Sequence, residues 1–220
     1  MAAPSVDGQP AAMADAAALV TDVFQPEFID INFGCPVKKV VRRNGGSGCL
    51  KDLGLVQEII RAVVQGTHLP VTCKVRSGWS EEMRDPVTIG LRCQDAGARA
   101  IALHPRTRTQ MYKGEADWTL IGKVKNNPRI TIPIFGNGDI DSPEKALAYK
   151  NRYGVDGIMI GRAAIGYPWI FNEIKYYVQT GQRLAPPDIE ARVAVIKKHL
   201  HKSVEWKGMI AGVNEMRRHY

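Results

Sequence analysis

The sequence predicts an α/β fold built around a parallel β-sheet. Short apolar runs rich in β-branched residues alternate with helical patterns along most of the 220-residue chain. Near-continuous apolar strands separated by helices are typical of a parallel sheet that is covered on both faces. The predicted strands are Phe28–Phe33, Val71–Val75, Ala100–Leu103, Ile132–Phe135 and Gly157–Ile160. Five such units favour either a TIM-type (β/α) barrel or a doubly wound sheet.

Helix start and stop signals lie between these runs. Asp52 is a predicted N-cap, and the apolar residues that follow it recur with the helical period. Asp85-Pro86 and Ser142-Pro143 each combine an N-cap with proline at the first helical position. Gly97 and Gly154 stand where helix C-caps are expected.

The chain is basic, with a formal net charge of +8. This charge fits a polyanionic partner such as RNA but does not require one. Residues 172–220 contain nine Lys or Arg and five Asp or Glu, so this segment is either a solvated helical face or an RNA-facing surface. No apolar run has the length of a membrane span, and the N-terminus lacks a secretory signal pattern. We therefore expect a cytoplasmic protein without a membrane partner.

Four cysteines are spread along the chain without a C-x-x-C pair. This spacing argues against a zinc site and against a disulfide framework, so no metal is expected. Cys73 and Cys93 are predicted to be small buried residues, and Cys49 is predicted to serve in packing. Cys35 differs from these three because of its neighbours.

The most informative segment is Ile29–Pro36, which reads Ile-Asp-Ile-Asn-Phe-Gly-Cys-Pro. It places the amide of Asn32 and the thiol of Cys35 at the carboxyl end of the first predicted strand, where TIM-type folds carry out chemistry. A basic cluster follows, made of Lys38, Lys39, Arg42 and Arg43. This cluster is either a solvated face or a set of RNA phosphate contacts.

Three further motifs follow, each at the end of a predicted strand. They are Lys74–Trp79, His104–Arg108, and Asn137-Gly138-Asp139 together with Gly161–Ala164. With Ile29–Pro36, these motifs closely resemble tRNA-dihydrouridine synthases, and in particular the bacterial B-type group. The resemblance covers nearly the whole chain. It implies an FMN-dependent oxidoreductase that reduces the C5=C6 bond of uridine in tRNA.

The resemblance assigns the catalytic proton to Cys35. Hydride would pass from N5 of reduced FMN to C6 of uridine, Cys35 would protonate C5, and NADPH would re-reduce the flavin. Free thiols have a pKa of about 8.5 and are mostly protonated at neutral pH, which suits a general acid. Pro36 restricts the backbone next to the sulfur.

The resemblance also assigns cofactor and substrate contacts. Lys74 is expected to stabilise the negative charge of the reduced flavin, and His104 to contact the flavin. The loops after the last two strands are expected to bind FMN phosphate through Asn137, Gly138, Asp139, Gly161 and Arg162. The target base would be flipped out of its stack and contacted by Asn32, Arg76 and Arg106. Pro105, where many relatives have glycine, stiffens the loop that carries Arg106.

A (β/α)8 barrel needs eight strands, and the sequence offers five strong ones and a weaker one at Pro4–Gly8. We therefore predict an FMN-binding TIM-type barrel over residues 1–170 whose first two strands are absent. Residues 171–220 are predicted to begin a helical tRNA-docking domain, in which Pro186-Pro187-Asp188 starts a helix. The apolar face of that helix consists of Ile189, Val193, Ile196, Leu200 and Val204. Because the sheet edges would be open, the chain alone is expected to be poorly soluble and to hold little FMN.

Two alternative functions stay open. One is an FMN barrel dehydrogenase that acts on a small molecule, although such an enzyme should lack the Asn-x-Gly-Cys-Pro run. The other is an inactive RNA-binding fragment. A Rossmann nucleotide site lacks support, because the glycine-rich segment Gly45–Gly48 comes well after the strand end and does not have the G-x-G-x-x-G spacing.

Overall fold

The computed structural model of the protein describes residues 8–219. Of the weak strand predicted at Pro4–Gly8, only Gly8 lies inside the described residues. The chain divides into two compact units, the first made of Met1–Gly138 and Tyr149–Met159, the second of Asp139–Ala148 and Ile160–Tyr220. The domain boundary predicted at residue 170 lies within the second unit and stays a prediction.

The first unit contains a five-stranded sheet in which all neighbouring strands are parallel. The strands are β1 Ile29–Phe33, β2 Val71–Arg76, β3 Ala100–His104, β4 Ile134–Asn137 and β5 Gly157–Met159. All five predicted strands are therefore confirmed. Their order in space is the order along the chain. A doubly wound sheet reverses its order at a switch point, and the five described strands contain no such reversal.

Helices alternate with these strands. The first unit contains α1 Pro10–Phe24, α2 Lys38–Val41, α3 Leu53–Gln65, α4 Pro86–Asp95 and α5 Trp118–Lys125. Helix α6, Pro143–Tyr153, begins in the second unit and ends in the first. The second unit also contains α7 Ile170–Thr180, α8 Ile189–Lys207 and α9 Met209–Met216. Short 3₁₀ turns occupy Gly46–Lys51, Arg162–Ala164 and Arg217–His219.

Side-chain hydrogen bonds confirm the predicted helix boundaries. The predicted N-caps Asp52, Asp85 and Ser142 each accept a backbone N–H of the first helical turn at 2.9 to 3.3 Å. Asp188, at the predicted start of α8, also accepts such an N–H, at 2.7 Å. Gly97 and Gly154 follow the ends of α4 and α6 with φ angles of 103° and 68°. These angles lie in the region that glycine adopts without strain, which explains why glycine ends both helices.

The two faces of the sheet differ in character. One face is apolar and buried, and α3, α4 and α5 pack against it. Cys73 of β2 and Cys93 of α4 are both fully buried here, as predicted, and their hydrogen bond together with burial raises the pKa of the Cys73 thiol. The other face carries half-buried side chains that include Asp30, Asn32, Thr72 and Lys74. Polar side chains thus alternate with apolar ones along β1 and β2, and the prediction that both faces of the sheet are covered stays a prediction.

Helix α8 of the second unit begins after Asp188, as predicted. Its predicted apolar face is largely uncovered: Ile189 is 79% exposed, Val193 is 41% exposed, and no residue of α8 is buried. Helix α9 packs against α8, where Gly212 lies so close to Val204 that an added Cβ would be 2.7 Å from its Cα. None of the helices among the described residues is long and apolar enough to cross a membrane.

Candidate active site

Four of the residues predicted to act on cofactor or substrate share one face of the sheet. The register aligns Asn32 of β1 with Lys74 of β2, and Arg76 of β2 with His104 of β3. Alternate residues of a strand point to the same face, so Lys74 and Arg76 lie on the face that Asn32 and His104 also occupy. All four stand at or near the carboxyl ends of their strands.

The loop that carries Cys35 is held by four hydrogen bonds to the sheet and a nearby turn. The side chain of Asn32 accepts from the N–H of Gly34 at 2.9 Å, and Arg76 Nε donates to the carbonyl oxygen of Gly34 at 2.9 Å. Ser47 donates to the carbonyl oxygen of Cys35 from its hydroxyl at 2.8 Å and from its N–H at 3.0 Å. Cys35 itself is half-buried, and these hydrogen bonds fix its backbone.

Gly46 approaches Cys35 so closely that no side chain fits between them. Its φ is +55°, and an added Cβ would lie 2.8 Å from the carbonyl oxygen of Cys35 and 2.9 Å from its Cβ. Real Cβ atoms essentially never approach so closely. The glycine-rich run Gly45–Gly48 does not have the spacing of a nucleotide-binding motif. Its close packing indicates that it supports the cysteine loop instead.

The other cysteine near this loop is confirmed as a packing residue. Cys49 is buried, and its Sγ donates to the carbonyl oxygen of Asn44 at 2.7 Å. Burial raises the pKa of the Cys49 thiol to about 11. This thiol is therefore unsuited to donate or accept a proton readily at neutral pH.

Lys74 lies in a desolvated position beside the cysteine loop. A Cβ on Gly34 would be 3.7 Å from its Nζ. Burial lowers the pKa of Lys74, the charge of Arg76 lowers it further, and the charge of Asp30 opposes both. A partly desolvated ammonium acts strongly on a negative charge placed next to it.

Asp30 lies among the candidate site residues and was not predicted from the sequence. It lies on the same strand face as Asn32, and its Oδ1 accepts from Thr72 Oγ1 at 2.7 Å. Burial raises the pKa of Asp30, against the opposing effects of the Thr72 hydrogen bond and the Lys74 charge. The available signal was its position two residues before Asn32 in an otherwise apolar strand.

Arg76 and Arg106 are buried, each with 2% exposure, and their guanidinium groups bind backbone carbonyls. Arg76 Nη1 donates to Thr107 O at 3.0 Å and to Met111 O at 2.8 Å. Arg106 Nε donates to Lys113 O at 3.2 Å, and its Nη2 donates to Gly114 O. The structure thus places both arginines as supports of the loop after β3, and their predicted substrate contacts stay predictions.

His104 is also buried, and its Nε2 lies 3.3 Å from Arg106 Nη1. Gly138 follows β4 with φ +128°, and a Cβ there would lie 3.0 Å from His104 Cδ2 and 2.8 Å from Ala116 Cβ. Asn137 donates from Nδ2 to Met159 O at 2.8 Å. These contacts join the ends of β3, β4 and β5 within the first unit.

The remaining predicted phosphate ligands belong to the second unit. Arg162 Nη2 donates to Asp139 Oδ1 at 2.7 Å, and the Arg162 side chain is 56% exposed. Asp139 has φ +54°, and Gly161 precedes the 3₁₀ turn that contains Arg162. Among the described residues, no group of three or more His, Cys, Asp or Glu side chains could hold a metal ion.

The sequence matches a known family over residues 6–220, and the family is described as dihydrouridine synthase (Dus). The chain belongs to the dihydrouridine synthase family. This match confirms the resemblance that the four motifs indicated.

Curated members of the dihydrouridine synthase family align along most of the chain. The tRNA-dihydrouridine synthase B of Pseudomonas putida is 42% identical over 214 residues, covering 97% of this chain and 63% of the relative. The tRNA-dihydrouridine synthase B of Shewanella oneidensis is 44% identical over 191 residues, covering 87% of this chain and 59% of the relative. The chain therefore spans about three fifths of the length of these relatives.

Among solved structures, 2-naphthoyl-CoA reductase in complex with 2-naphthoyl-CoA superposes on this chain with a TM-score of 0.54. The superposition covers 75% of this chain and 28% of that chain, at 15% identity. A likeness at this identity concerns the fold alone.

Proposed function

We propose that this protein is a tRNA-dihydrouridine synthase, which reduces the C5=C6 bond of uridine in tRNA. The observation that carries the proposal is the fixed position of Cys35. Hydrogen bonds from Asn32, Arg76 and Ser47 fix the backbone on both sides of its thiol, and Lys74 lies on the adjacent strand. Membership of the dihydrouridine synthase family supports the same conclusion.

The sheet is proposed to be part of an eight-stranded TIM-type barrel. Its support is the sequential order of five parallel strands, with helices against one face and polar side chains on the other. In this proposal the polar face lines the barrel interior. Two further strands, together with the one predicted at Pro4–Gly8, would bring the five described strands to eight, and the relatives are long enough to contain them.

The residues on the polar face fit a flavin. Lys74 supplies a desolvated cation for the negative charge of a reduced isoalloxazine, and His104 is the neighbouring contact. Gly138 has no space for a Cβ beside His104, so its backbone can approach a ligand closely. We assign FMN as the cofactor and propose phosphate contacts from Asn137, Gly138, Asp139, Gly161 and Arg162.

The proposed chemistry uses these side chains. Reduced FMN, held by these residues, would supply the hydride to C6 of the uracil, with NADPH as its reductant. Cys35 Sγ donates its proton to C5 of the uracil. Asn32 Oδ1 is engaged by the N–H of Gly34, so its Nδ2 is the donor that can hold a uracil carbonyl. Arg76 donates to the carbonyl oxygen of Gly34 and so holds the backbone next to Cys35 in place.

The RNA substrate is proposed to meet the exposed basic residues that follow Cys35. Lys38, Lys39 and Arg42 are exposed on and directly after α2. Contacts from such residues to phosphates give affinity without sequence information. A uridine within a folded tRNA must be flipped out to reach a thiol at the base of this loop.

The test is reduction of unmodified tRNA by the full-length, purified protein. The expected result is a yellow protein with flavin absorbance that forms dihydrouridine when NADPH is added. A yellow protein that reduces a small substrate such as orotate and does not reduce tRNA would favour a small-molecule dehydrogenase. A colourless protein that binds tRNA would favour the RNA-binding alternative, and either outcome would refute the proposal.

A further inference from the structure

Two cations lie over one indole ring at the carboxyl end of the sheet. Lys51 Nζ is 4.2 Å from the centroid of the Trp79 ring, and Arg108 Cζ is 4.8 Å from it. Both distances are within the range of favourable cation–π contact. The indole therefore contacts two cations and positions both of them. We call Lys51, Trp79 and Arg108 the cation stack.

The cation stack joins the loops after β1, β2 and β3. Lys51 ends the 3₁₀ turn that contains Ser47, the residue that holds Cys35. Trp79 and Arg108 come from the next two loops, which are joined by backbone hydrogen bonds: Arg108 N donates to Gly78 O at 3.0 Å, and Thr109 N donates to Trp79 O at 3.1 Å. The stack is thus fixed relative to the candidate catalytic thiol.

The two cations have no carboxylate partner at ion-pair distance among the described residues. Nearby acids have other roles, since Asp52 caps α3 and Glu81 pairs with Arg84. Lys51 is exposed and Arg108 is half-buried. Two like charges that contact one indole ring without a counter-charge favour the approach of an anion.

We infer that the cation stack binds the phosphodiester backbone of the RNA next to the nucleotide that is reduced. This inference rests on the proposed function and adds a specific substrate subsite to it. Lysine and arginine are the side chains that bind nucleic-acid phosphates. A backbone phosphate held beside the cysteine loop would fix the strand on one side of the flipped uridine.

The experiment replaces each cation without removing its aliphatic stem, in the full-length, flavin-loaded protein. Lys51→Met and Arg108→Met each lower the affinity for tRNA, by about 3- to 10-fold at low salt. The slope of log affinity against log salt becomes shallower by roughly 0.7 to 0.9 per lost phosphate contact. The matched controls are Lys123→Met on α5 and Arg61→Met on α3, which remove the same charge at exposed positions on the helical side. These controls keep the wild-type slope.

Three results overturn the inference while the proposed function stands, provided that the wild-type protein reduces tRNA. The first is wild-type tRNA affinity and slope in both stack variants. The second is loss of flavin or of cooperative unfolding in the variants, which would make the stack a structural contact between loops. The third is a raised KM for NADPH with unchanged tRNA binding, which would mean that the cation stack binds a phosphate group of NADPH. A wild-type protein that neither binds nor reduces tRNA refutes both proposals together.

Discussion

Ser47 donates two hydrogen bonds to the carbonyl oxygen of Cys35, from its hydroxyl at 2.8 Å and from its N–H at 3.0 Å. Ser47 is fully buried, and it belongs to the glycine-rich turn Gly46–Lys51 rather than to the strand that carries Cys35. A side chain twelve residues away thus fixes the backbone of the residue that carries the candidate catalytic thiol. Its contribution can be measured separately from that of the thiol.

Ser47→Ala removes the hydroxyl donor and keeps the N–H donor. We expect a loss of about 0.5–1.5 kcal/mol in unfolding free energy. We also expect kcat for tRNA reduction to fall by at most about 100-fold, as for a reacting group displaced by about 1 Å. The control is Ser203→Ala, which removes a comparable bond to Gly212 O in the second unit. Equal kcat losses in both variants would contradict the positioning role.

Gly46→Ala forces a methyl group against Cys35, at 2.8 Å from its carbonyl oxygen. The turn must shift or the protein must unfold, so we expect loss of uridine reduction together with lowered stability. Gly154→Ala is the control, because Gly154 has a similar φ of +68° but no atom within 4 Å of an added Cβ. It should cost only about 1–2 kcal/mol, the penalty for a left-handed residue. Gly46→Ala with normal activity would show that the turn does not support Cys35.

Asp30→Asn tests the electrostatics of the polar face. Burial raises the pKa of Asp30, so its carboxyl favours folding below its unfolded pKa of about 3.9, and this contribution is lost as pH rises through the folded value. The unfolding free energy of the variant minus that of wild type should therefore be larger at about pH 7 than at about pH 3. Urea denaturation at the two pH values measures this difference. Asp22→Asn, at an exposed position of α1, is the control, and identical pH dependence in the two variants would refute the prediction.

Arg162→Ala and Arg106→Ala should separate cofactor retention from RNA binding. Arg162 is half-exposed and proposed to contact FMN phosphate, so its loss should lower the flavin-to-protein ratio more than it lowers tRNA affinity. Arg106 holds the backbone of Lys113 and Gly114, so its loss should loosen an exposed loop and weaken tRNA binding more. Flavin absorbance and a tRNA titration measure both effects. Equal loss of flavin in the two variants would show that this division of roles is wrong.

The sequence predicted the strands and helix boundaries because their signals are local. Short apolar runs rich in β-branched residues favour strands through their own composition, and Asp52 or Asp85 caps the helix that directly follows it. The motif at Cys35 was equally visible, since its residues are contiguous and occur with three other motifs in a fixed order.

The contacts that hold the site were not predictable in the same way. Arg76 binds Gly34, Thr107 and Met111 through their carbonyl oxygens, and a carbonyl oxygen is present at every position. Nothing in the sequence distinguishes the three that are used. The apolar face predicted for α8 had the correct period, but periodicity alone does not specify which element covers it, and Ile189 is exposed.

The most direct test of the account is single-turnover reduction of unmodified tRNA by full-length, flavin-loaded protein with and without the Cys35 thiol. Dihydrouridine is measured by mass spectrometry of the digested tRNA. We expect Cys35→Ala to keep its flavin and its tRNA affinity while the rate falls by about 10²–10⁴-fold, the usual contribution of a general acid. A variant that reduces uridine at the wild-type rate, or a wild-type protein that holds flavin and forms no dihydrouridine, would contradict the account.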